Sequence, residues 1–342
     1  MTTSQRHTDG VSKNCSRGGE RSEWRGRRDG GPAWTEREQV EICPACGGTS
    51  THGFHPATDV VRCLGCDVLF VSPRPTLEAI AAFYSEVGRY DHWDREPGRA
   101  AMWRRRAERL RALAPSGRLL DVGTGQGDFG AAAREWYTFE GTEVSSEGAR
   151  LARERHGLVV HEGDLLALDL PHDRYDVVTL WHVLEHVTEP RRVVERAALL
   201  LKPGGVLAVA VPNTDYDLWL TRQRLDTALR FAVGRPGRTS IRVPLFDHAM
   251  GALLLRMPRR DIPVEPLLLE RLDEELHLTH FTLRTLVHLM QRASLDVVER
   301  GIDDHSADDG LRARARYRLE RSFQRLTGRV AAPAIFAAAR KR

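Results

Sequence analysis

Three sets of residues in this chain have the types and spacing to do chemistry. The first is Cys43-Pro44-Ala45-Cys46 with Cys63-Leu64-Gly65-Cys66, two Cys-x-x-Cys pairs separated by sixteen residues. Each pair can aim two sulfurs at one metal, and four thiolates make a closed tetrahedral zinc site that leaves no position for catalysis. Two disulfides or free thiols are the alternatives. A residue tolerating left-handed backbone should follow each pair, and Gly47 and Asp67 stand there. The second set is Asp121-Val122-Gly123-Thr124-Gly125-Gln126-Gly127, with one more glycine at Gly130. Glycines so placed let backbone pass directly beneath a bound nucleotide. The third set is His182-Val183-Leu184-Glu185-His186 together with Glu275-Leu276-His277-Leu278-Thr279-His280-Phe281-Thr282. Histidine is the natural proton acceptor near neutral pH, so His186, His280, His182 and His277 are candidate bases, with Glu185 beside them. Capping and packing are equally open roles for these histidines.

These residues need elements to present them. The apolar run ending on Asp121 predicts a strand, a tight turn and a helix over Gly130 to Trp136. Thr138 to Glu143 predicts a second strand, and Val159 to Leu165 a third that ends in Gly163-Asp164. Tyr175 to Trp181 reads as a buried fourth strand. Pro203-Gly204-Gly205 is a turn before a fifth apolar strand. Later come a helix over Phe281 to Ala293 with Thr282 as N-cap, a strand at Leu295 to Glu299, and a last strand within Pro333 to Lys341. Upstream, Thr76 opens a short helix and Arg99 to Leu113 a longer one, with Tyr84, Tyr90, His92 and Trp93 between them. That aromatic group either packs helices or forms a flap over the ligand. Alternating strands and helices predict an α/β domain.

The glycine turn supports two registers. Gly125-x-Gly127-x-x-Gly130 satisfies the dinucleotide fingerprint of a nicotinamide oxidoreductase, and Asp121-x-Gly123-x-Gly125-x-Gly127 is the other pattern. The second, followed in order by Glu143, Asp164, the Pro203-Gly204-Gly205 turn and the terminal strands, resembles the class I S-adenosylmethionine-dependent methyltransferases. With its cysteine pairs, the chain is similar to members that carry an N-terminal zinc ribbon, of the ubiquinone-biosynthesis and the sugar and natural-product types. The resemblance implies a Rossmann-like seven-stranded, mostly parallel sheet with an antiparallel last strand. It implies S-adenosylmethionine as methyl donor, held by Asp121, Gly123, Thr124, Gly125, Gly127, Glu143, Asp164, Leu165 and His182, with Tyr84 and Tyr90 contributed by the flap. Glu143 would meet the ribose hydroxyls and Asp164 the adenine amino group. In this reading Gly130 is the third glycine of an accidental second pattern. Structural zinc on Cys43, Cys46, Cys63 and Cys66 completes the cofactors.

His182 to His186 also satisfies the His-x-x-Glu-His pattern of one zinc peptidase group, in which a helix would bring both imidazoles to a metal. Its place after a buried strand argues against a peptidase. A divalent ion on His182, Glu185 and His186 is the remaining metal reading, since an acidic-plus-His set at this point can hold one in the relatives.

The 342 residues divide, on this reading, into a disordered tail over 1–38, a zinc ribbon over 39–72, a helical flap and linker over 73–115, and the methyltransferase domain over 116–342 with an acceptor lid at 214–275. A net charge of +4 does not by itself imply nucleic acid, and residues 47–62 carry no basic run or stacking aromatics. A small-molecule acceptor is expected, with methylation of a macromolecule recruited by the ribbon as the alternative. No apolar stretch of about 18 residues exists, and no secretory leader is evident, so a cytoplasmic location is expected. From Leu311 onward ten cations face Glu320 alone, which could touch a phosphate-bearing acceptor or an anionic membrane, or be a solvated face. Nothing in the sequence bears on oligomeric state.

Overall fold

The computed structural model describes residues 36–54, 59–84, 98–215, 276–303 and 310–342. Tyr90, His92 and Trp93, the acceptor lid beyond 215 and the tail up to 35 lie outside the described residues.

The cysteine-rich part contributes β1 (Arg37–Glu38), β2 (Thr51–Gly53), β3 (Val60–Cys63), β4 (Leu69–Val71) and β5 (Arg74–Pro75). β1 begins inside the stretch expected to be tail, pairing antiparallel with β5. Two helices follow, α1 (Leu77–Tyr84) and α2 (Arg99–Leu113), at the expected places. Then come β6 (Gly117–Val122), α3 (Asp128–Ala133), β7 (Tyr137–Glu143), α4 (Ser146–His156), β8 (Val159–Glu162), β9 (Tyr175–Trp181), α5 (Pro190–Leu200) and β10 (Leu201–Pro212). The last described elements are β11 (Thr279–His280), α6 (Leu283–Arg292), β12 (Leu295–Ile302), α7 (Leu311–Thr327) and β13 (Ala334–Lys341).

Seven strands form one sheet in the order β12-β13-β10-β9-β6-β7-β8. β6, β7, β8, β9 and β10 pair in parallel, and β13 runs antiparallel between β10 and β12. The expected antiparallel last strand is therefore present, at the place where a dinucleotide-binding sheet would continue in parallel. β9 and β6 are apolar on both faces because both faces are covered. On one side Met102, Trp103 and Leu110 of α2 pack with Phe129 of α3 and Ala149 of α4. On the other lie Val193 and Val194 of α5, Leu286 and Met290 of α6, and Cys43, Cys66 and Phe70 of the cysteine-rich module.

That module is bound into the fold by more than packing. Its sheet runs β11-β4-β3-β2, so the fourth strand comes from the late histidine-bearing segment. His280 pairs with Leu69 and Thr279 with Phe70, and the Val71 amide donates to the Leu278 carbonyl at 3.0 Å. The Leu278 and Thr279 amides in turn donate to the Glu185 carbonyl at 2.8 and 3.1 Å. One short segment is thus held from two sides.

Candidate active site

The sheet reverses its direction of growth between β6 and β9, and that topological switch point lies at the carboxyl ends of the parallel strands. The glycine turn fills it. Gly123 and Gly127 have φ of 68° and 91°, in the left-handed region. A Cβ on Gly123 would lie 2.6 Å from a Val183 methyl, so the turn also abuts the segment after β9. Gly130, the third glycine of the accidental dinucleotide pattern, has a packing reason of its own. A Cβ there would meet Leu158 at 2.6 Å and the Phe139 ring at 2.7 Å, so its bare backbone lets α3 lie close on β7.

Three acidic residues stand at the ends of β6, β7 and β8. Asp121 is buried and accepts from the Thr179 hydroxyl at 2.5 Å. Burial pushes its pKa up to about 7, with Glu143 adding to the effect against the Thr179 bond. Glu143, also buried, accepts from the Gly125 amide at 2.7 Å and the Ser145 amide at 2.9 Å. It therefore fastens the glycine turn to the start of α4. Asp164 is exposed and caps its own turn through the Leu166 amide at 2.8 Å, while Leu165 behind it is buried. Thr124 is buried, its amide donating to the Thr142 carbonyl at 2.9 Å.

The His182–His186 stretch is not helical. His182 has φ of 56° and His186 closes a short turn onto the Val183 carbonyl, which removes the geometry of the peptidase pattern. His182 instead sits between carboxylates: Nδ1 lies 3.4 Å from Glu185 and Nε2 3.4 Å from Asp303. Burial opposes its charge, but Asp303 and Glu185 outweigh this and raise its pKa. Asp303 and Arg106 were not anticipated from the sequence. They form a buried ion pair across α2 and the end of β12, and the Arg106 guanidinium lies over the Trp103 and Trp181 rings at 4.7 and 4.9 Å. Burial works to raise the Asp303 pKa, yet Arg106 and His182 hold it well below the usual carboxylate range.

Glu185 is 1% exposed, and its carboxylate faces the His182 and His186 imidazoles at 3.4 and 3.9 Å. His186 directs Nδ1 to the Leu276 carbonyl at 3.2 Å, leaving Nε2 3.9 Å from Glu185. His277, rather than His182, is the third member of this group: ligand atoms of Glu185, His186 and His277 all lie within 4.8 Å of one another. One carboxylate and two imidazoles make a donor set suited to a divalent cation or to proton transfer. Tyr84 meets the His186 ring edge-on, with centroids 6.4 Å apart. His280 is buried in the fourth strand of the cysteine-rich sheet, apart from this group's ligand atoms.

Cys43, Cys46, Cys63 and Cys66 converge as expected. The sulfurs of Cys43 and Cys66 are 3.7 Å apart and those of Cys46 and Cys63 3.5 Å. A disulfide needs about 2.05 Å, whereas sulfurs at the corners of a tetrahedral zinc site with Zn–S near 2.3 Å stand roughly 3.8 Å apart. Both knuckles have the same build: Gly47 and Asp67 take φ of 78° and 69°, and their amides donate to the Cys43 and Cys63 carbonyls at 2.9 Å. The hydrogen bond between Cys43 and Cys66 lowers the Cys43 pKa and raises that of Cys66, so without a metal one proton is held between the two sulfurs.

A family model described as "Methyltransferase domain" matches residues 90–300. The chain belongs to this methyltransferase family. Within the family it is 33% identical over 165 residues to the ubiquinone biosynthesis O-methyltransferase of Klebsiella pneumoniae subsp. pneumoniae, covering 44% of this chain and 66% of that enzyme. It is 29% identical over 129 residues to an uncharacterized protein of Methanocaldococcus jannaschii, covering 37% of this chain and 58% of that protein. The matched part is thus under two thirds of either relative. A solved structure of an S-adenosylmethionine-dependent methyltransferase from Thermotoga maritima, described as a possible histamine N-methyltransferase, aligns over 76% of this chain and 98% of its own. The identity there is 16% and the TM-score 0.46. Family membership removes the nicotinamide oxidoreductase reading of the glycine turn.

Proposed function

We propose that this methyltransferase-family chain transfers the methyl group of S-adenosylmethionine to a small-molecule acceptor, on an oxygen or carbon atom. The observation that carries the reading is the placement of Asp121, Glu143 and Asp164 at the ends of three consecutive parallel strands around the glycine turn. Asp121 and the amides of the turn would meet the amino-acid end of the donor, Glu143 the ribose and Asp164 the adenine. When bound, S-adenosylmethionine supplies an already activated methyl cation equivalent. The protein's task is then to align the acceptor and to take a proton from it. His186 is the proposed base: its Nδ1 is held by the Leu276 carbonyl, so Nε2 is the acceptor, and the Glu185 carboxylate 3.9 Å from that same nitrogen would stabilise the imidazolium. His182, flanked by two carboxylates, is a cation more readily than a base and serves to position Glu185. A sugar, glycan or specialised metabolite is the proposed acceptor class.

Four-thiolate zinc is proposed for the cysteine cluster, in a structural role. Calorimetry with S-adenosylhomocysteine tests the donor assignment. Binding should be lost in Asp121→Ala and Gly125→Val; tight NADH binding in its place would overturn it.

A further inference from the structure

We propose that α7 (Leu311–Thr327) is a docking surface for an anionic lipid bilayer, on which the helix lies without crossing. The helix has a clear inner face. Tyr317 packs on the core, Glu320 is buried, and the Gln324 amide donates to the Arg300 carbonyl at 3.2 Å, against Gly301 of β12. At 3.6 residues per turn, Glu320, Gln324 and Tyr317 fall within about 60° of one another. The opposite side is where a solvated helix puts polar residues. Here it holds Leu311, Ala315, Leu319 and Leu326, with Ser322 among them, within about 80° of one another. Leu311, Leu319 and Leu326 are 85%, 56% and 86% exposed.

Charge complementarity selects the occupant. Arg314, Arg318, Arg321 and Arg325 are exposed along one flank of the leucine row, with Arg316 on the other. Among the described residues, none of the first four pairs with a carboxylate. Leucines entering the acyl boundary, with arginines reaching up to lipid phosphates, satisfy both halves of this face. A nucleic acid would use the arginines and leave the leucines in water. A second copy of the helix would set arginine row against arginine row. No described helix is long and apolar enough to cross a membrane, so the contact is parallel to the surface.

Flotation of the full chain with phosphatidylcholine vesicles, with and without phosphatidylglycerol, tests this. The chain should float with the anionic vesicles only, less so as salt rises. The triple variant Leu311→Ser, Leu319→Ser, Leu326→Ser and the quadruple variant Arg314→Gln, Arg318→Gln, Arg321→Gln, Arg325→Gln should each weaken binding by about tenfold or more. Thermal unfolding of both variants checks that the fold is kept. Independently of any loss, Leu326→Trp should show blue-shifted emission on anionic vesicles. Three results would overturn the proposal: no flotation with either vesicle; leucine variants that bind as well as the parent, leaving a purely polyanionic contact; or a parent dimer that the leucine variant dissolves while the Trp emission stays unshifted.

Discussion

Thr279 and Phe70 face each other across an antiparallel pairing that fastens the histidine-bearing segment to the cysteine-rich sheet. If the cysteine cluster holds the proposed zinc, loss of that metal should be felt far from the cysteines. In Cys43→Ser, or after chelation, amide exchange at Leu278, Thr279 and His280 should speed up by about tenfold or more, because their partner strand loosens. Unchanged protection there, with the metal gone, would show that the ribbon does not hold this segment.

The Arg106–Asp303 pair is buried on both sides, at 3% and 1% side-chain exposure. Arg106→Ala leaves the buried Asp303 carboxylate with His182 as its remaining described partner and should destabilise the protein by about 2–4 kcal/mol in denaturant melts. Arg106→Met combined with Asp303→Leu should recover most of that loss. A single variant as stable as the parent would mean that water reaches Asp303.

Gly130→Ala should cost about 1–3 kcal/mol, since the buried Leu158 and Phe139 side chains would both have to shift, while affinity for S-adenosylhomocysteine stays close to that of the parent. Gly53→Ala, with open space around the new Cβ, is the control and should lie within about 0.5 kcal/mol. A Gly130 variant that melts like the parent would return this glycine to an incidental role.

In the proposed donor contact Asp121 must be ionised to meet the amino cation, and burial pushes its pKa up to about 7. Affinity for S-adenosylhomocysteine should thus rise with pH through about 7 and then level off. Stability of the free protein should run the other way. Asp121 and His182 both have raised pKa values in the fold. The contribution of Asp121 is complete only below its unfolded value of 3.8 and is gone by about 7. That of His182 is complete below 6.5 and is lost as pH climbs past its folded value. Calorimetry and melting curves across this range check both slopes. Affinity independent of pH would remove Asp121 from the amino contact.

His186→Ala should lower kcat by about 10²–10⁴-fold with donor affinity unchanged, whereas His280→Ala should act mainly on stability. Equal losses of rate in both would mean that the buried His280 takes part in the chemistry.

Much of the domain was legible because strand, glycine turn and helix are local patterns. Tyr175–Trp181 and Arg99–Leu113 fall where the sequence places them, as do the Thr282 cap and the antiparallel end. What escaped was nonlocal. Arg106 and Asp303 are 197 residues apart, and in a chain whose cations are nearly all arginine no single one stands out. The pairing of His280 with Leu69 has no local signal either, since two residues of strand carry no period. His182 to His186 misled because spacing suggests a shared helical face, whereas the chain turns there with His182 in the left-handed region. Gly130 misled in the other direction: its reason is a phenylalanine on the next strand.

The late arrival of β11 has a consequence for how the protein is made. As the chain is synthesised, the cysteine pairs emerge early and can gather around a metal on their own, with β4 left as an open edge. The strand that covers this edge comes from beyond residue 276, and Arg292, which reaches the Cys46 carbonyl, lies 246 residues further along. Until that strand is made, the nascent module exposes Leu69, Phe70 and Val71 with half their backbone partners missing, an invitation to adhere to other strands. Fragments that stop short of Leu276 should therefore be poorly soluble even when their metal is bound.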